Sequence, residues 1–414
     1  MYQINPPALY LTEWAAQDER AGPHLARLSA AMGHANPVVV SAAELAELAV
    51  EHGWADQGRH RTGYLRRDEE PTVVLNAFET DEAVLRKRLT QYPSLAQWML
   101  GGQGMHTLRD SRWTQGDEGG VCQPAVELHG AYGCVHACDY CHVGTVLNIM
   151  TNVEALVERL PKLWAAHPWC RLWKFDNYTD TITLEPEYGA SELMVEAFAR
   201  QQRHFVLLYT KSDNVDHLLN LDPLGQTLIS WSLAGPQASQ IVEKRTPPMA
   251  ARIEAMRKCQ LAGYRVRARI SPICPLEDWR HEATALVEAL FAQVQPELIT
   301  MDVLGWMNAD QMVAALDISI LERRFRQFVE ERLELPPLSH RKHFFPHEWR
   351  REIMSHYLQE IRRVSPTTPV SICMETGDMW RALGPALGME PDAYACCCGP
   401  FSVPGEQHLE HCLR

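Results

Sequence analysis

The feature of this sequence that most constrains its fold is an alternation of short apolar runs and amphipathic segments that begins near Pro124. Such alternation is typical of βα units, whose strands form a parallel sheet. The predicted strands cover residues 125–129, 171–175, 205–209, 227–232, 265–270 and 298–303. The predicted helices cover residues 152–166, 190–202, 215–219, 250–262 and 280–294. We therefore predict an α/β protein containing an open, partial (β/α)6 barrel.

The pattern divides the chain into three predicted regions. Residues 1–120 are interpreted as an N-terminal α/β extension, residues 121–318 as the barrel, and residues 319–414 as a helical and cysteine-rich C-terminal extension. Outside the barrel, the local patterns predict helices at 42–52, 81–91 and 319–333 and a strand at 72–75.

The composition and charge of the chain indicate its cellular compartment and disfavour some classes of partner. The N-terminus lacks the basic patch and apolar run of a signal peptide, and no apolar stretch approaches the length that crosses a bilayer, so we expect a cytoplasmic protein without a membrane partner. Because that compartment keeps thiols reduced, the 12 cysteines indicate metal-binding thiolates rather than a disulfide framework. The formal charge of −13 disfavours nucleic acid as a partner.

Three cysteines, Cys134, Cys138 and Cys141, follow the first predicted barrel strand. Their spacing lets one loop present three thiolates to a [4Fe-4S] cube and leaves one iron without a protein ligand. Ferredoxin runs supply four cysteines, and zinc ribbons use paired Cys-x-x-Cys knuckles, so neither alternative matches. In radical S-adenosylmethionine (SAM) enzymes the open iron binds SAM, which accepts an electron and loses a carbon–sulfur bond. The motif and its place after a barrel strand predict this class of enzyme.

Over about residues 124–305 the sequence resembles the spore photoproduct lyase branch of the radical SAM superfamily. The similar stretches are residues 209–216, 231–233, 242–248, 252–255, 262–264 and 271–273. The resemblance implies five residues that contact SAM, namely Tyr140 near the adenine, Lys211 and Ser232 at the carboxylate or ribose, and Thr179 and Asp180 after the second strand. A purely structural role is the alternative for each. The resemblance also implies an electron donor such as flavodoxin or ferredoxin.

One departure from the resemblance concerns the hydrogen-atom donor. The lyase carries a cysteine after its second barrel strand that returns a hydrogen atom to the repaired DNA, but residues 175–180 contain no cysteine here. Tyr178 occupies that neighbourhood and is a candidate radical relay. Cys274, just after a barrel strand, is a candidate hydrogen-atom donor. With the acidic charge, this departure argues against thymine-dimer repair.

The C-terminal extension carries a second group of cysteines. Alternate residues of an extended segment point the same way, so Cys373, Cys396 and Cys398 are predicted to bind a second iron–sulfur cluster, a zinc ion or a thiophilic substrate. Cys397 belongs to the same candidate group but is left over by this alternation, and Cys412 is a distant fourth candidate. The alternative is that these thiols pack as small hydrophobic groups, which is the role we expect for Cys122, Cys170 and Cys259.

Four functions remain open at this point. The leading hypothesis is an enzyme that cleaves SAM reductively and directs a carbon-centred radical at a small molecule. The second is transfer of the 3-amino-3-carboxypropyl group of SAM to a thiophilic acceptor such as arsenite, held by the C-terminal cysteines. DNA photoproduct cleavage is the third, and a non-catalytic iron–sulfur or zinc-binding protein is the fourth.

Overall fold

A computed structural model describes residues 1–33, 36–54, 61–93, 95–102, 106–109, 120–339 and 343–405. Its elements before residue 120 are β1 Leu9–Thr12, α1 Glu13–Gln17, α2 Gly22–Ala31, β2 Val38–Val40, α3 Ala42–Glu51, β3 Thr72–Asn76, α4 Glu82–Gln91 and β4 His106–Arg109. The central elements are β5 Ala125–Leu128, β6 Ala131–Tyr132, β7 Ala137–Cys138, β8 Val146–Met150, α5 Val153–Ala166, β9 Leu172–Phe175, α6 Ala190–Ala199, β10 Phe205–Thr210, β11 Thr227–Leu233, α7 Ala238–Ile241, β12 Glu243–Lys244, α8 Met249–Leu261, β13 Arg265–Ile273, α9 Trp279–Gln293 and β14 Ile299–Val303. The remaining elements are α10 Ala309–Ala315, α11 Arg323–Leu333, α12 His347–Val364, β15 Val370–Ile372 and α13 Gly377–Leu387.

The predicted barrel strands form one continuous sheet. Its strand order is β15-β14-β13-β11-β10-β9-β5-β4, and every neighbouring pair from β5 to β15 is parallel. All residues of β9 and β10 are buried, as expected for parallel strands covered on both faces. The partial (β/α)6 barrel is therefore confirmed. Two further strands extend it, because β15 joins β14 in parallel and β4 pairs antiparallel with β5.

The helices that connect the barrel strands follow the predicted pattern with one exception. α5, α6, α8 and α9 lie where helical periodicity places them, and Gly263, at a φ of +94°, ends α8. The helix predicted at residues 215–219 is wrong, since this segment contains only a short 3₁₀ turn at Leu218–Asn220. Its backbone bonds, from Leu218 N–H to Val215 O at 2.9 Å and from Leu221 N–H to Leu218 O at 3.1 Å, span three residues instead of the four of an α-helix. No helix in the described part of the chain has the length and apolarity needed to cross a membrane.

The N-terminal extension contains a second sheet, completed by strands from beyond residue 120. Its order is β2-β1-β3-β8-β6, with β8 parallel to β3 and antiparallel to β6. β6 and β8 flank the loop of residues 133–145, which carries the three motif cysteines. Both ends of that loop are therefore held in the N-terminal sheet.

The C-terminal tail closes the amino-terminal end of the barrel. The backbone N–H groups of Arg171 and Leu172, at the start of β9, donate to Pro400 O at 3.0 and 2.9 Å. The buried guanidinium of Arg267 in β13 donates to Cys397 O at 3.2 Å and to Ser402 O at 2.6 Å. These bonds hold the cysteine-rich segment against the inside of the barrel.

His217, beside the N-terminus, makes stability depend on pH. Burial and the nearby N-terminal ammonium lower the pKa of its imidazole from 6.5 to about 4. The unfolded chain therefore binds a proton in this window that the folded chain does not, and the free energy of unfolding falls as pH drops through it. Over this pH range we expect the free energy of unfolding of His217→Gln to fall by roughly 1–2 kcal/mol less than that of the wild type, allowing for partial exposure of the ring. Urea unfolding at about pH 7 and about pH 4.5 measures the difference; equal pH dependence in both proteins would contradict it.

Candidate active site

The three motif cysteines line one cavity of about 390 Å³ at the carboxyl ends of the barrel strands. Cys138 is buried, and Cys134 and Cys141 are half-buried. Burial raises the pKa of all three thiols, and the carboxylates of Asp180 and Glu243 raise those of Cys134 and Cys138 further. Three thiolates in this position need compensating positive charge, which iron ions provide. The donor set therefore fits a [4Fe-4S] cluster.

The loop is fixed on one side by a short antiparallel ladder between β7 and β12. This ladder pairs Cys138 with Glu243 and Ala137 with Lys244. The Lys244 ammonium lies 2.8 Å from a carboxylate oxygen of Asp139. The stretch 242–248, which carried part of the family resemblance, thus supports the loop directly.

A buried ionic network lies behind this ladder. Glu243 is 1% exposed and pairs with Arg252, with the Lys211 ammonium at 3.4 Å, and with the Tyr140 hydroxyl, which donates to it. Burial raises the pKa of Glu243, but these cations and hydrogen bonds more than offset that effect and lower it to about 2. Glu243 is therefore charged at neutral pH, and its partners position Tyr140 and Lys211 in the cavity wall.

On its other side the loop is held by an N-terminal turn that sequence reasoning missed. The Arg61 guanidinium donates to Tyr140 O at 2.7 Å, and the Thr62 hydroxyl donates to Val143 O at 2.6 Å. The Gly63 N–H contacts Cys141 O at 3.4 Å. The turn Thr62–Tyr64 is distant in sequence from the motif, and no local signal marks it. The N-terminal extension thus contributes directly to the cluster loop.

Replacement of Gly63 by alanine tests this clamp. A Cβ at Gly63 would lie 2.2 Å from Asp139 O and 2.9 Å from Cys138 O, so backbone must move. Strain of this kind typically costs about 1–3 kcal/mol, and we expect the variant to bind less iron after anaerobic reconstitution. The matched control is Gly22→Ala, whose Cβ would meet no atom within 4 Å and whose φ, like that of Gly63, is not positive. Equal iron content in both variants would contradict the clamp.

The five residues predicted to contact SAM line the same cavity: Tyr140, Thr179, Asp180, Lys211 and Ser232. The Thr179 hydroxyl and the Asn177 side-chain carbonyl, both in the cavity wall, are buried without a hydrogen-bond partner among the described residues. Such groups fit a polar ligand. Asp180 instead accepts hydrogen bonds from the Thr210 hydroxyl at 2.9 Å and the Lys211 N–H at 2.6 Å. The SAM contacts themselves stay predictions.

The structure does not bring Tyr178 and Cys274 to this cavity. Tyr178 stacks on Tyr132, with ring centroids 5.3 Å apart, and lines two neighbouring cavities, of which the smaller shares His142 and Val143 with the first. The direction of the Tyr178 side chain follows from a turn at Asp176. The Asp176 carboxylate accepts a hydrogen bond from the Tyr178 N–H at 3.0 Å, which turns the chain there. Cys274 follows an irregularity in β13 and is buried beside Glu243. Their predicted roles next to the substrate stay predictions.

The C-terminal cysteines lie inside the barrel. Cys373 lines the cavity, and Cys396 and Cys398 are buried. The Cys397 thiol donates to Ala268 O at 3.4 Å, in line with the alternation of neighbouring side chains in an extended segment, and its role as a ligand stays a prediction. Cys412 lies outside the described residues.

Comparisons with known proteins find similar sequences over the barrel region. The family model described as spore photoproduct lyase matches residues 122–312. The spore photoproduct lyases of Bacillus subtilis (strain 168) and Geobacillus sp. (strain Y412MC61) are 26% and 23% identical to the chain, over 41% and 40% of its length. The matched regions cover 51% and 50% of those lyases, so the chain spans about half the length of these curated relatives.

The structural comparison extends beyond the region matched in sequence. A spore photoproduct lyase mutant with bound AdoMet and dinucleoside spore photoproduct superposes with a TM-score of 0.58 and 16% identity, covering 90% of this chain and 99% of that one. At that identity the superposition shows a common fold. With the family match over residues 122–312 and the cysteine loop, it leads to one conclusion: the barrel region is similar to the spore photoproduct lyase-like branch of the radical SAM superfamily, and the chain shares the fold of the lyase.

Proposed function

We propose that this radical SAM enzyme cleaves SAM reductively and directs a carbon-centred radical at a small molecule. The observation that supports this proposal most directly is the single cavity of about 390 Å³ lined by the three motif cysteines and by the five residues predicted to contact SAM. The C-terminal tail covers the amino-terminal end of the barrel, opposite this cavity. A pocket of this size suits a small ligand.

The side chains of the cavity wall have distinct tasks in this proposal. Cys134, Cys138 and Cys141 hold three irons and leave the fourth open to the amino and carboxylate groups of SAM. When bound, the cluster supplies one electron to the sulfonium of SAM. Lys211, whose ammonium lies 5.6 Å from the Tyr140 ring centroid, pairs with the SAM carboxylate. The unpartnered Thr179 hydroxyl donates a hydrogen bond to a polar group of the cofactor.

The proposal favours a small-molecule substrate over DNA for two reasons. A protein that binds a phosphate backbone needs a surface rich in Lys and Arg, whereas this chain has a formal charge of −13. The segment after β9 also lacks the cysteine that the family resemblance implies for the lyase reaction. DNA photoproduct cleavage remains the alternative that the names of the matched relatives suggest.

Transfer of the 3-amino-3-carboxypropyl group of SAM to a thiophilic acceptor is a second candidate. It is favoured by one observation, the position of Cys373 in the wall of the same cavity as the motif cysteines. Arsenite held by Cys373 and its neighbours would lie next to SAM. In this reaction the other product is methylthioadenosine, whereas the leading proposal yields 5′-deoxyadenosine.

The test is anaerobic reconstitution followed by addition of SAM, with dithionite in place of the physiological electron donor, such as flavodoxin or ferredoxin. We expect wild-type protein to release 5′-deoxyadenosine and a variant with Cys134→Ala, Cys138→Ala and Cys141→Ala to release none. Methylthioadenosine formed only with arsenite would support the second candidate. Failure of the reconstituted wild type to cleave SAM would overturn both.

A further inference from the structure

Four cysteine side chains from three separate parts of the chain converge inside the barrel. One guanidinium, that of Arg109, contacts the thiols of both Cys122 and Cys398, and that of Arg269 contacts the thiol of Cys373. Cys396 lies two residues before Cys398 in the buried tail segment. Cys122, Cys396 and Cys398 are buried, and Cys373 opens to the cavity. We propose that these four cysteines bind a second iron–sulfur cluster, and that Cys122, expected from sequence to be a packing residue, is its fourth ligand.

Backbone and side-chain bonds that do not involve the thiols hold the three segments together. The Val121 N–H donates to Glu375 O at 2.6 Å, which joins the segment of Cys122 to that of Cys373. The Gln123 side chain donates to Tyr394 O at 2.7 Å, which joins the first segment to the tail. The site is therefore organised by the fold itself, as a binding site for a rigid cofactor requires.

The charges around the thiols suit a negatively charged cluster. The Arg109 guanidinium lies 3.4 Å from Cys122 Sγ and 3.8 Å from Cys398 Sγ, and the Arg269 guanidinium lies 3.4 Å from Cys373 Sγ. Four thiolates and a cluster core carry net negative charge, and N–H···S hydrogen bonds from cations both stabilise such a centre and raise its reduction potential. Both guanidinium groups are half-buried and also pair with carboxylates, Arg109 with Glu127 at 3.3 Å and Arg269 with Asp302 at 3.9 Å, which hold them beside the thiols.

The arrangement fits a cluster better than a single zinc ion. Within the described ranges no three His, Cys, Asp or Glu side chains meet closely enough to hold one metal ion. Cys134, Cys138 and Cys141, which are among the described residues, also do not meet closely enough to hold a single ion. Their spacing suits the wider cube of a [4Fe-4S] cluster. Tetrahedral zinc needs four donors within about 2.0–2.3 Å of one point, whereas cluster ligands bind different irons.

Iron and sulfide analysis of a variant without the first cluster tests the inference independently of SAM cleavage. In full-length protein carrying Cys134→Ala, Cys138→Ala and Cys141→Ala, we expect anaerobic reconstitution to retain about two to four iron and sulfide atoms per chain, the content of one [2Fe-2S] or [4Fe-4S] cluster. Adding Cys398→Ala or Cys122→Ala should abolish this content and the electron paramagnetic resonance signal of the reduced cluster.

The matched control is Cys397→Ala in the same background, because this neighbouring thiol is equally buried but faces Ala268. It should retain iron and sulfide, and circular dichroism verifies that each variant is folded. Absence of iron from the triple variant, zinc without sulfide, or equal losses from Cys397→Ala and Cys398→Ala would overturn the second cluster. Because SAM cleavage is measured separately in wild-type protein, these results leave the proposed function standing.

Discussion

Replacement of Cys138 by alanine is expected to abolish formation of 5′-deoxyadenosine from SAM. Cys138 is buried at the centre of the cluster loop, where its backbone pairs with Glu243, and no other cysteine of the motif can take its place on the iron. Changes to groups outside the ligand sphere of a metal typically cost about 10- to 100-fold in affinity or activity, so loss of a direct ligand should exceed about 100-fold. Product chromatography after anaerobic reconstitution measures the effect.

Cys259→Ala is the control for this prediction. Cys259 is 0% exposed, lies in α8 and does not line the cavity. The variant loses the same thiol from a buried position outside the cavity, so it should keep its iron and its product yield while losing some stability. If Cys138→Ala retained wild-type product formation, the assignment of the cluster to this loop would be wrong.

The largest effect on stability is expected from Arg252→Leu. The Arg252 guanidinium is buried, donates to Pro247 O at 2.8 Å and to Ser232 O at 3.1 Å, and forms an ion pair with Glu243. Leucine fills similar space but leaves the Glu243 carboxylate with Lys211 as its remaining cation. Breaking a buried pair in this way costs about 3–5 kcal/mol, and urea unfolding gives the value.

The matched control is Arg280→Leu, which removes an exposed ion pair with Glu352. Pairs of this kind contribute about 1 kcal/mol or less. A loss of stability from Arg252→Leu no larger than that from Arg280→Leu would show that the buried pair contributes little. Because Glu243 pairs with Cys138 across the β7–β12 ladder, we also expect reconstituted Arg252→Leu to bind less iron than Arg280→Leu.

The strands of the barrel could be predicted because their signal is local. A buried parallel strand such as β10, Phe205–Thr210, is a continuous apolar run, and the amphipathic segments between such runs have the period of a helix. The spacing of the motif cysteines is local in the same sense, since one loop must wrap one cluster. The short predicted helix at 215–219 failed because local periodicity over so few residues does not decide between a helix and a turn.

The orientation of individual side chains could not be predicted in this way. Tyr178 and Cys274 follow barrel strands, where a side chain commonly faces the site, but a carboxylate that turns the chain and an irregular strand direct them elsewhere. Residues beyond the regular end of a strand no longer alternate with period two. Their direction depends on contacts with distant residues.

The amino-acid sequence by itself determined the order of the βα units, the loop with Cys134, Cys138 and Cys141, and the alternation that separates Cys397 from its neighbours, because each depends on residues near one another in the chain. Only the tertiary structure decided that an N-terminal turn at Thr62–Tyr64 clamps the cluster loop and that Cys122 and Cys398 contact the same Arg109 guanidinium. These contacts join segments separated by tens to hundreds of residues. They form only when the sheets, the helices and the closing tail pack together, so no pattern in the local sequence records them.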